Sequence, residues 1–411
     1  MGKINPEIEA FARIKVIGIG GAGKNAVNHM INSKVKGVEF IVMNTDAQDL
    51  HHSLATKKVH IGKNLTRGLG AGMNPDIGKR AAEETKEEVQ SVVKGANMIF
   101  ATAGMGGGTG TGAAPIIART AKELGILTIA VVTKPFFFEG AQRMRIAEQG
   151  LTELRAEVDA MVVIPNDRLL GSIQKETTLA NAFALSDEVL RQAVEGISDL
   201  ITMPGIINVD FADIRAIMEN AGPALMGIGM GSGEKRASEA ARSAINSPLL
   251  DISINGARGI LFAVAGGDDM TMFEIQEAAK VITESIDKDA KVIFGAIKDE
   301  KLKKGEIKVT VIATGFPEDE PSERSPSLRR EEPSRSERNE PVQKEEPKKG
   351  RIYNNLGIPS THEDSSEDKE TPIMTSKSST ASAQPTLEII DDDEEDNEWG
   401  VPAFLRRSKM K

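Results

Sequence analysis

The chain contains no cysteine. Disulfides, thiolate nucleophiles and cysteine-ligated zinc are therefore excluded, which fits a reducing cytosol. Tryptophan and tyrosine occur once each, at Trp399 and Tyr353, both in a stretch with few apolar neighbours. The folded core is expected to lack both. No apolar run approaches the ~20 residues of a membrane span. Direct membrane insertion is not expected, and any membrane contact would go through a partner. The formal net charge is −10, which gives no bulk attraction to nucleic acid or an anionic bilayer. The five histidines are scattered without metal-ligand spacing, and no metal-ligating side chain is assigned. A hydrophobic share of 39% over 411 residues is low for one uniform globule. It predicts more than one domain and an unstructured portion.

What is present is strand–helix alternation. Residues 13–19, 38–44, 97–103, 126–133 and 159–165 read as buried strands, with helical patterns over 76–94 and 113–124. Such alternation predicts a parallel sheet covered on both faces, with ligands at the carboxyl ends of its strands. A long helix follows over 178–202. Leu179, Phe183, Leu190, Val194, Ile197 and Ile201 recur at three- and four-residue spacing, predicting one buried stripe. Strands at 224–231, 259–266, 291–297 and 306–316, with helices near 233–245 and 271–284, then predict a second α/β or α+β domain. Residues 317–390 are rich in Pro, Ser, Glu, Lys and Arg and read as a disordered linker. About 75 such residues average on the order of 50 Å end to end. The terminal stretch, 391–411, places acids first, then Trp399, Val401, Phe404 and Leu405, then Arg406, Arg407 and Lys409. That order suits a short helix that docks on a partner.

Two glycine-rich turns carry the chemistry. "GIGGAG" (18–23) follows the first strand and satisfies G-x-G-x-x-G, with Asp46 at the end of the second strand where a ribose ligand would sit. Alone it fits a dinucleotide oxidoreductase as well as a mononucleotide protein. "GMGGGTGTG" (104–112) is a second strand-to-helix turn in the same sheet. Backbone N–H groups at a helix start bind anions, and two such starts can clasp one polyphosphate. Thr109 and Thr111 add hydroxyls. No G-x-x-x-x-G-K-[ST] occurs, so this is not a P-loop.

"GGGTGTG" (106–112) resembles the signature of the tubulin/FtsZ superfamily. "NTDAQ" (44–48), "TRGLGAGMNP" (66–75), "KPFFFEG" (134–140), "VIPNDRLL" (163–170), "GISDLITMPGIINVDFADI" (196–214) and "VPAFLRR" (401–407) resemble segments of its FtsZ-type bacterial division GTPases. The resemblance covers roughly residues 12–316 and the terminal peptide, not the linker. It implies phosphate contacts from Gly20, Gly21, Ala22, Gly23, Lys24 and Asn25, and from Gly104, Gly106, Gly107, Gly108, Thr109, Gly110 and Thr111. Glu139 and Arg143 would hold the ribose region. Asn166 and Asp187 would read the guanine edge, with Phe183 against the base. A carboxylate that accepts from guanine N1–H and N2–H₂ rejects adenine, which lacks both donors. Asp46 has either a nucleotide role or a loop-capping one. Ala22 and Lys24 depart from the family's usual glycine and glycine or asparagine. Alanine fits the turn only with negative φ, and Lys24 is expected to point to solvent.

Hydrolysis needs a group that orients water. The candidates are Asp210 and Asp213, with Asn208 beside them; loop or helix capping is the ordinary use of such residues. About 24 helical residues span roughly 36 Å, so these acids would lie far from their own chain's nucleotide and reach that of a neighbour stacked head to tail. Such a contact does not close and generates a filament.

The expected architecture is α/β. A Rossmann-like parallel-sheet GTPase domain spans 12–177 and a long central helix 178–203. A second α+β domain spans 204–316, a disordered linker 317–390 and a partner-binding peptide 391–411. The expected function is a cytoplasmic, Mg²⁺-dependent GTPase of the division site at midcell. It would form a homopolymer and bind membrane-tethering and regulatory division proteins through 398–411. Two rivals remain: an oxidoreductase built on "GIGGAG", which leaves the second turn unexplained, and a structural polymer without turnover.

Overall fold

The computed structural model describes residues 12–171, 177–203, 205–247, 254, 256–299 and 301–316. The linker and terminal peptide, 317–411, lie outside them. By compactness the chain divides after Ser327, and every described residue belongs to the first unit.

The first half runs β1 (Ile14–Ile19), α1 (Gly20–Asn32), β2 (Val38–Asn44), α2 (Ala47–His51), β3 (Lys57–His60), α3 (Lys63–Thr66), α4 (Pro75–Glu84) and α5 (Lys86–Val93). It continues with β4 (Met98–Gly104), α6 (Gly108–Glu123), β5 (Leu127–Lys134), α7 (Ala141–Glu157), β6 (Ala160–Pro165) and α8 (Asn166–Leu170). Then comes α9 (Leu179–Thr202). The second half runs β7 (Gly205–Ile207), α10 (Phe211–Met218), β8 (Gly222–Ser232), α11 (Arg236–Ile245), β9 (Gly259–Gly266), α12 (Met272–Thr283), β10 (Lys291–Lys298) and β11 (Glu306–Thr314).

Strands β1 to β6 pair in parallel in the order β3-β2-β1-β4-β5-β6. Alternate strand residues feed two layers. Val16, Phe100 and Ile129 pack with Leu190, Val194 and Ile197 of α9, while Ile17, Ile99 and Val132 pack with Ala114, Ile117 and Leu154 of α6 and α7. Burial on both faces explains why β1 is continuously apolar. In the second half, Ile260, Phe262, Val309 and Val311 pack against Ala240, Ala244, Ala278 and Ile282 of α11 and α12. The two halves share one sheet. β6 pairs with the start of β8 over Ala160↔Gly222, Met161↔Pro223 and Val162↔Ala224, making eleven strands in all.

Four local differences from the sequence reading have physical causes. The pattern over 76–94 is two helices, broken at Thr85, whose hydroxyl donates back to Ala81 O at 2.7 Å. β3 is an added short edge strand whose four residues alternate too briefly to stand out. α6 begins at Gly108, not near Ala113, so the glycines form its first turns. A Cβ on Gly112 would collide with Pro75 O, so α6 meets the start of α4 with bare backbone. The stripe on α9 is buried at Leu190, Val194 and Ile197, but Leu179 is 61% and Phe183 40% exposed. The first turns of α9 pass beyond the sheet into a cleft mouth, where the helical period persists without a core to meet.

α9 is capped by Thr178, which accepts from Asn181 N. Its flank carries a charge ladder. His29 Nε2 lies 2.9 Å from Glu188, which pairs with Arg191 at 2.6 Å; Arg191 pairs in turn with Glu195, and Lys301 donates to Glu195 at 2.8 Å. Although burial opposes ionisation, the hydrogen bonds from Arg191 and His29 hold the Glu188 carboxyl down to about 2. The ladder ties the long helix to the first half at one end and to the second half at the other.

Candidate nucleotide site

The chain reverses its winding between β1 and β4, which lie side by side with Ile19 opposite Ala103. A crevice opens there at the carboxyl ends of the strands. α1 starts directly after β1, and α6 starts just after β4. The two starts touch: a Cβ on Gly20 would stand 3.1 Å from Gly110 N, and one on Gly104 would stand 2.6 Å from Ala22 Cβ. Neither start has a side-chain cap. Their first-turn N–H groups therefore face the crevice as paired anion donors.

Gly107 separates packing from binding. A Cβ there would meet nothing within 4 Å, and its φ of −90° suits any residue. No internal contact requires glycine at Gly107, so the space before α6 is room for a ligand. Gly106 differs, with φ +94° and a would-be Cβ 2.7 Å from Arg143 Cγ. Thr109 Oγ1 meets Thr45 Oγ1 at 2.6 Å, and buried Thr111 accepts from Gly106 N at 2.8 Å. Thr111 thus braces the turn from within. Ala22 has no positive φ, so the departure from glycine leaves the turn unstrained.

A cleft continues from the crevice, lined by Ala22, Asn25, Gly104, Glu139, Arg143, Asn166, Phe183 and Asp187. Glu139 Oε1 accepts from Phe136 N at 2.8 Å, and Glu139 Oε2 lies 3.2 Å from Arg143 Nη1. Arg143 Nε is buried without a partner. Asn166 opens α8 at the end of β6 and accepts from Ser186 Oγ at 2.8 Å, leaving its amide nitrogen for a ligand. Burial pushes the Asp187 carboxyl up to about 6, against an opposing pull from His29. Phe183 makes a T-shaped contact with Phe136, ring centroids 5.3 Å apart, and its side chain is partly exposed in the cleft. Unmatched donors, an unmatched acceptor and a partly exposed aromatic ring thus share one cleft. Ser186, Met105 and Leu190 also line it; Ser186 is detectable in sequence only through its place beside Asp187.

One expectation changes. Lys24 does not point to solvent: it is buried, and its ammonium pairs with Asp49 of α2. Of the two roles open to Asp46, the capping one is present at the start of α2, where it accepts from Asp49 N at 3.0 Å.

Asn208, Asp210 and Asp213 are exposed and stand apart from the cleft. Asp210 caps α10 by accepting from Asp213 N at 2.8 Å, and Asn208 Oδ1 accepts from Gly205 N at 2.7 Å. Arg215 of α10 donates to Gly125 O at 3.1 Å. Gly125 precedes β5, so α10 sits at the amino edge of the parallel strands, whereas Thr133 near the carboxyl end of β5 lines the cleft. β5 alone spans about 26 Å at ~3.3 Å per residue. A larger cavity, about 330 Å³, opens farther along α9 beside Glu195, Asp199 and Met203. It has no glycine-rich helix start, and Lys301 and Lys308 in its wall already pair with Glu195 and Asp299.

Two bare helix starts at one crevice and a polar cleft beside a partly exposed aromatic ring define a nucleotide-binding α/β protein with a doubled phosphate cradle. Residues 13–174 match the Tubulin/FtsZ family GTPase domain, and residues 222–317 match the FtsZ family C-terminal domain. A structure described as an empty FtsZ dimer from M. jannaschii is 47% identical, with a TM-score of 0.71, covering 74% of this chain and 88% of that one. A mutant FtsZ from the same organism is 46% identical with the same TM-score, covering 75% and 92%. CetZ2 from Haloferax volcanii, described as a GTPγS-bound protofilament, shares the fold at 21% identity and a TM-score of 0.65, covering 75% and 94%. The chain belongs to the tubulin/FtsZ family, in its FtsZ branch, and is a GTPase that binds GTP and GDP.

Proposed function

We propose that this GTPase completes its hydrolytic site between copies. Copies stack head to tail, and Asp210 and Asp213, with Asn208, are presented to the triphosphate of the next copy. The observation that carries this reading is the separation of the 208–213 corner from the cradle by the depth of the sheet. An acid at the amino edge serves a nucleotide at the carboxyl edge only across an interface. The stacked contact is heterologous and extends into a filament. The FtsZ dimer and the CetZ2 protofilament are assemblies of those proteins and support the same reading here.

In the cradle, the N–H groups of Gly20 to Asn25 and Gly107 to Gly110 hold the phosphates. Phe183 covers the base, Asp187 accepts from guanine N1–H and N2–H₂, and Asn166 donates to its carbonyl edge. Arg143, held by Glu139, binds the ribose side. No group of three or more His, Asp or Glu able to hold a metal ion occurs among the described residues. Mg²⁺ would be held chiefly by the substrate's own phosphates and would balance their charge. Asp213 of the stacked copy orients the attacking water, and the helix cap from Asp210 keeps Asp213 at the surface. No covalent intermediate is needed.

Filaments of this kind organise division at midcell in the cytoplasm, with residues 398–411 binding membrane-tethering and regulatory division proteins. No described helix is long and apolar enough to cross a membrane. The GTPase domain is 12–177, the central helix 178–203 and the α+β domain 204–316, with 317–390 as linker and 391–411 as docking peptide. The test is GTP turnover per molecule against protein concentration, followed alongside light scattering. Turnover per molecule should rise above a threshold that coincides with scattering. A flat specific activity would show that each copy holds a complete site.

A further inference from the structure

Lys24 is a residue of the first glycine-rich turn whose charge is already matched by another side chain. It lies in the second turn of α1, and its side chain is 11% exposed. Its ammonium meets Asp49 Oδ1, while Asn44 Nδ2 donates to Asp49 Oδ2 at 2.7 Å. Asn44 Oδ1 accepts from Thr45 N at 2.8 Å, and Thr45 Oγ1 meets Thr109 Oγ1 at 2.6 Å. One hydrogen-bonded chain thus runs from α1, through the end of β2 and α2, to the first turn of α6. It links the two helix starts before any ligand is present.

Asp49 also stands at the cradle wall. Its Oδ2 would lie 3.6 Å from a Cβ on Gly21, and among the described residues no other atom from outside the local helix backbone comes within 4 Å there. A carboxylate at that place opposes a polyphosphate, and a cation beside it cancels the opposition. We infer that Lys24 and Asp49 are a positioning pair that joins the two glycine-rich turns and sets the electrostatic balance of the phosphate cradle. Lys24 acts through Asp49 and touches no phosphate. The pair rests on the nucleotide reading above and adds to it a determinant of affinity for the phosphate chain.

The two charges have opposite signs, so their removal has opposite effects. Lys24→Gln leaves Asp49 unmatched beside the phosphates; Asp49→Asn leaves Lys24 unmatched. At a separation of about 8 Å and an effective dielectric of about 30, one unmatched charge changes affinity about tenfold. The experiment titrates a fluorescent GDP analogue into the full chain at low and high salt. Asp49→Asn should tighten GDP about tenfold at low salt, Lys24→Gln should weaken it about tenfold, and the double variant should bind within about twofold of the parent. High salt should shrink both single effects. A pair that served packing alone would weaken GDP in both single variants, with no dependence on salt, and that result overturns the inference. If Lys24→Gln does not fold, Asp49→Asn decides: tightening supports the balance, and weakening or no change overturns it. A parent chain that binds no GDP would instead overturn the nucleotide reading and the inference together.

Discussion

The cleft at the carboxyl edge and the 208–213 corner at the amino edge use polar residues in opposite ways. In the cleft they are left unmatched: Arg143 Nε has no partner, burial lifts Asp187, and neither α1 nor α6 is capped. At the corner the polar groups are exposed or used locally: Asp210 caps α10 by accepting from Asp213 N, Asn208 ties back to Gly205, and the Asp213 side chain stands in solvent. Unmatched buried groups raise the free energy of the empty protein, and a ligand relieves them. A binding half-site therefore announces itself in one molecule. A half-site presented to a neighbour is solvated at rest, and only its exposure and remoteness mark it.

The largest effect expected from breaking this contrast is at the corner. Asp213→Ala keeps the backbone N–H that Asp210 accepts, so α10 stays capped. Turnover in the polymer should fall about 100-fold or more, with GDP affinity unchanged by equilibrium titration. Asp210→Ala is less clean, because it also removes a helix cap worth about 1 kcal/mol. Loss of GDP binding in Asp213→Ala would place Asp213 in its own chain's pocket and erase the division between the two regions.

In the cleft, Asp187→Asn should weaken GDP about tenfold or more, since it replaces a charged acceptor by a neutral one. pH gives a second view of the same group. Its carboxyl in the empty protein ionises at about 6, above the usual 3.8, because burial disfavours the charge. A raised carboxyl favours the fold below the unfolded value and loses that contribution as pH rises through 6. Guanine binds the ionised form and offsets the loss. The rise in Tm produced by GDP should therefore grow from pH 5 to pH 7, and Asp187→Asn should flatten that growth. Asp199 is also raised to about 6 by burial, but it lies outside the cleft and acts with or without nucleotide.

The same contrast governs what could be read without coordinates. The cradle was legible because its requirement is local: "GIGGAG" and "GGGTGTG" each sit between a strand and a helix start. α9 was legible through its period, down to the cap at Thr178. The partner of Lys24 was not, because Asp49 comes from a separate short helix brought alongside by β2. Exposure of Phe183 was not, because periodicity marks a helix face but not what that face meets. The single sheet was hidden for a similar reason: only three residue pairs join β6 to β8, and two separate sheets would show the same pattern. The corner acids could be named from sequence and placed by helix length, but their capping roles depend on where α10 begins.

A smaller effect tests whether the two regions communicate. α6 starts at the cradle and ends near Gly125, and its 16 residues span about 24 Å. At that far end Arg215 donates to Gly125 O, and its guanidinium lies 5.6 Å from the centroid of the Phe211 ring. Lys122 Nζ reaches Asn220 Oδ1 just beyond the other end of α10, at 3.4 Å. The helix whose start lines the crevice thus also reaches, through Lys122 and the turn at Gly125, the helix that carries the corner acids. Arg215→Ala removes the anchor and leaves both the cradle and Asp213 in place. Turnover in the polymer should fall about fivefold, the equivalent of one hydrogen bond, while GDP affinity and the scattering threshold stay within about twofold of the parent. Arg215→Lys keeps a donor for Gly125 O but loses the flat group over Phe211, and should recover part of the rate. If Arg215→Ala leaves turnover untouched, α10 holds its acids in place without help from α6, and the two regions are independent parts joined only by the interface they form.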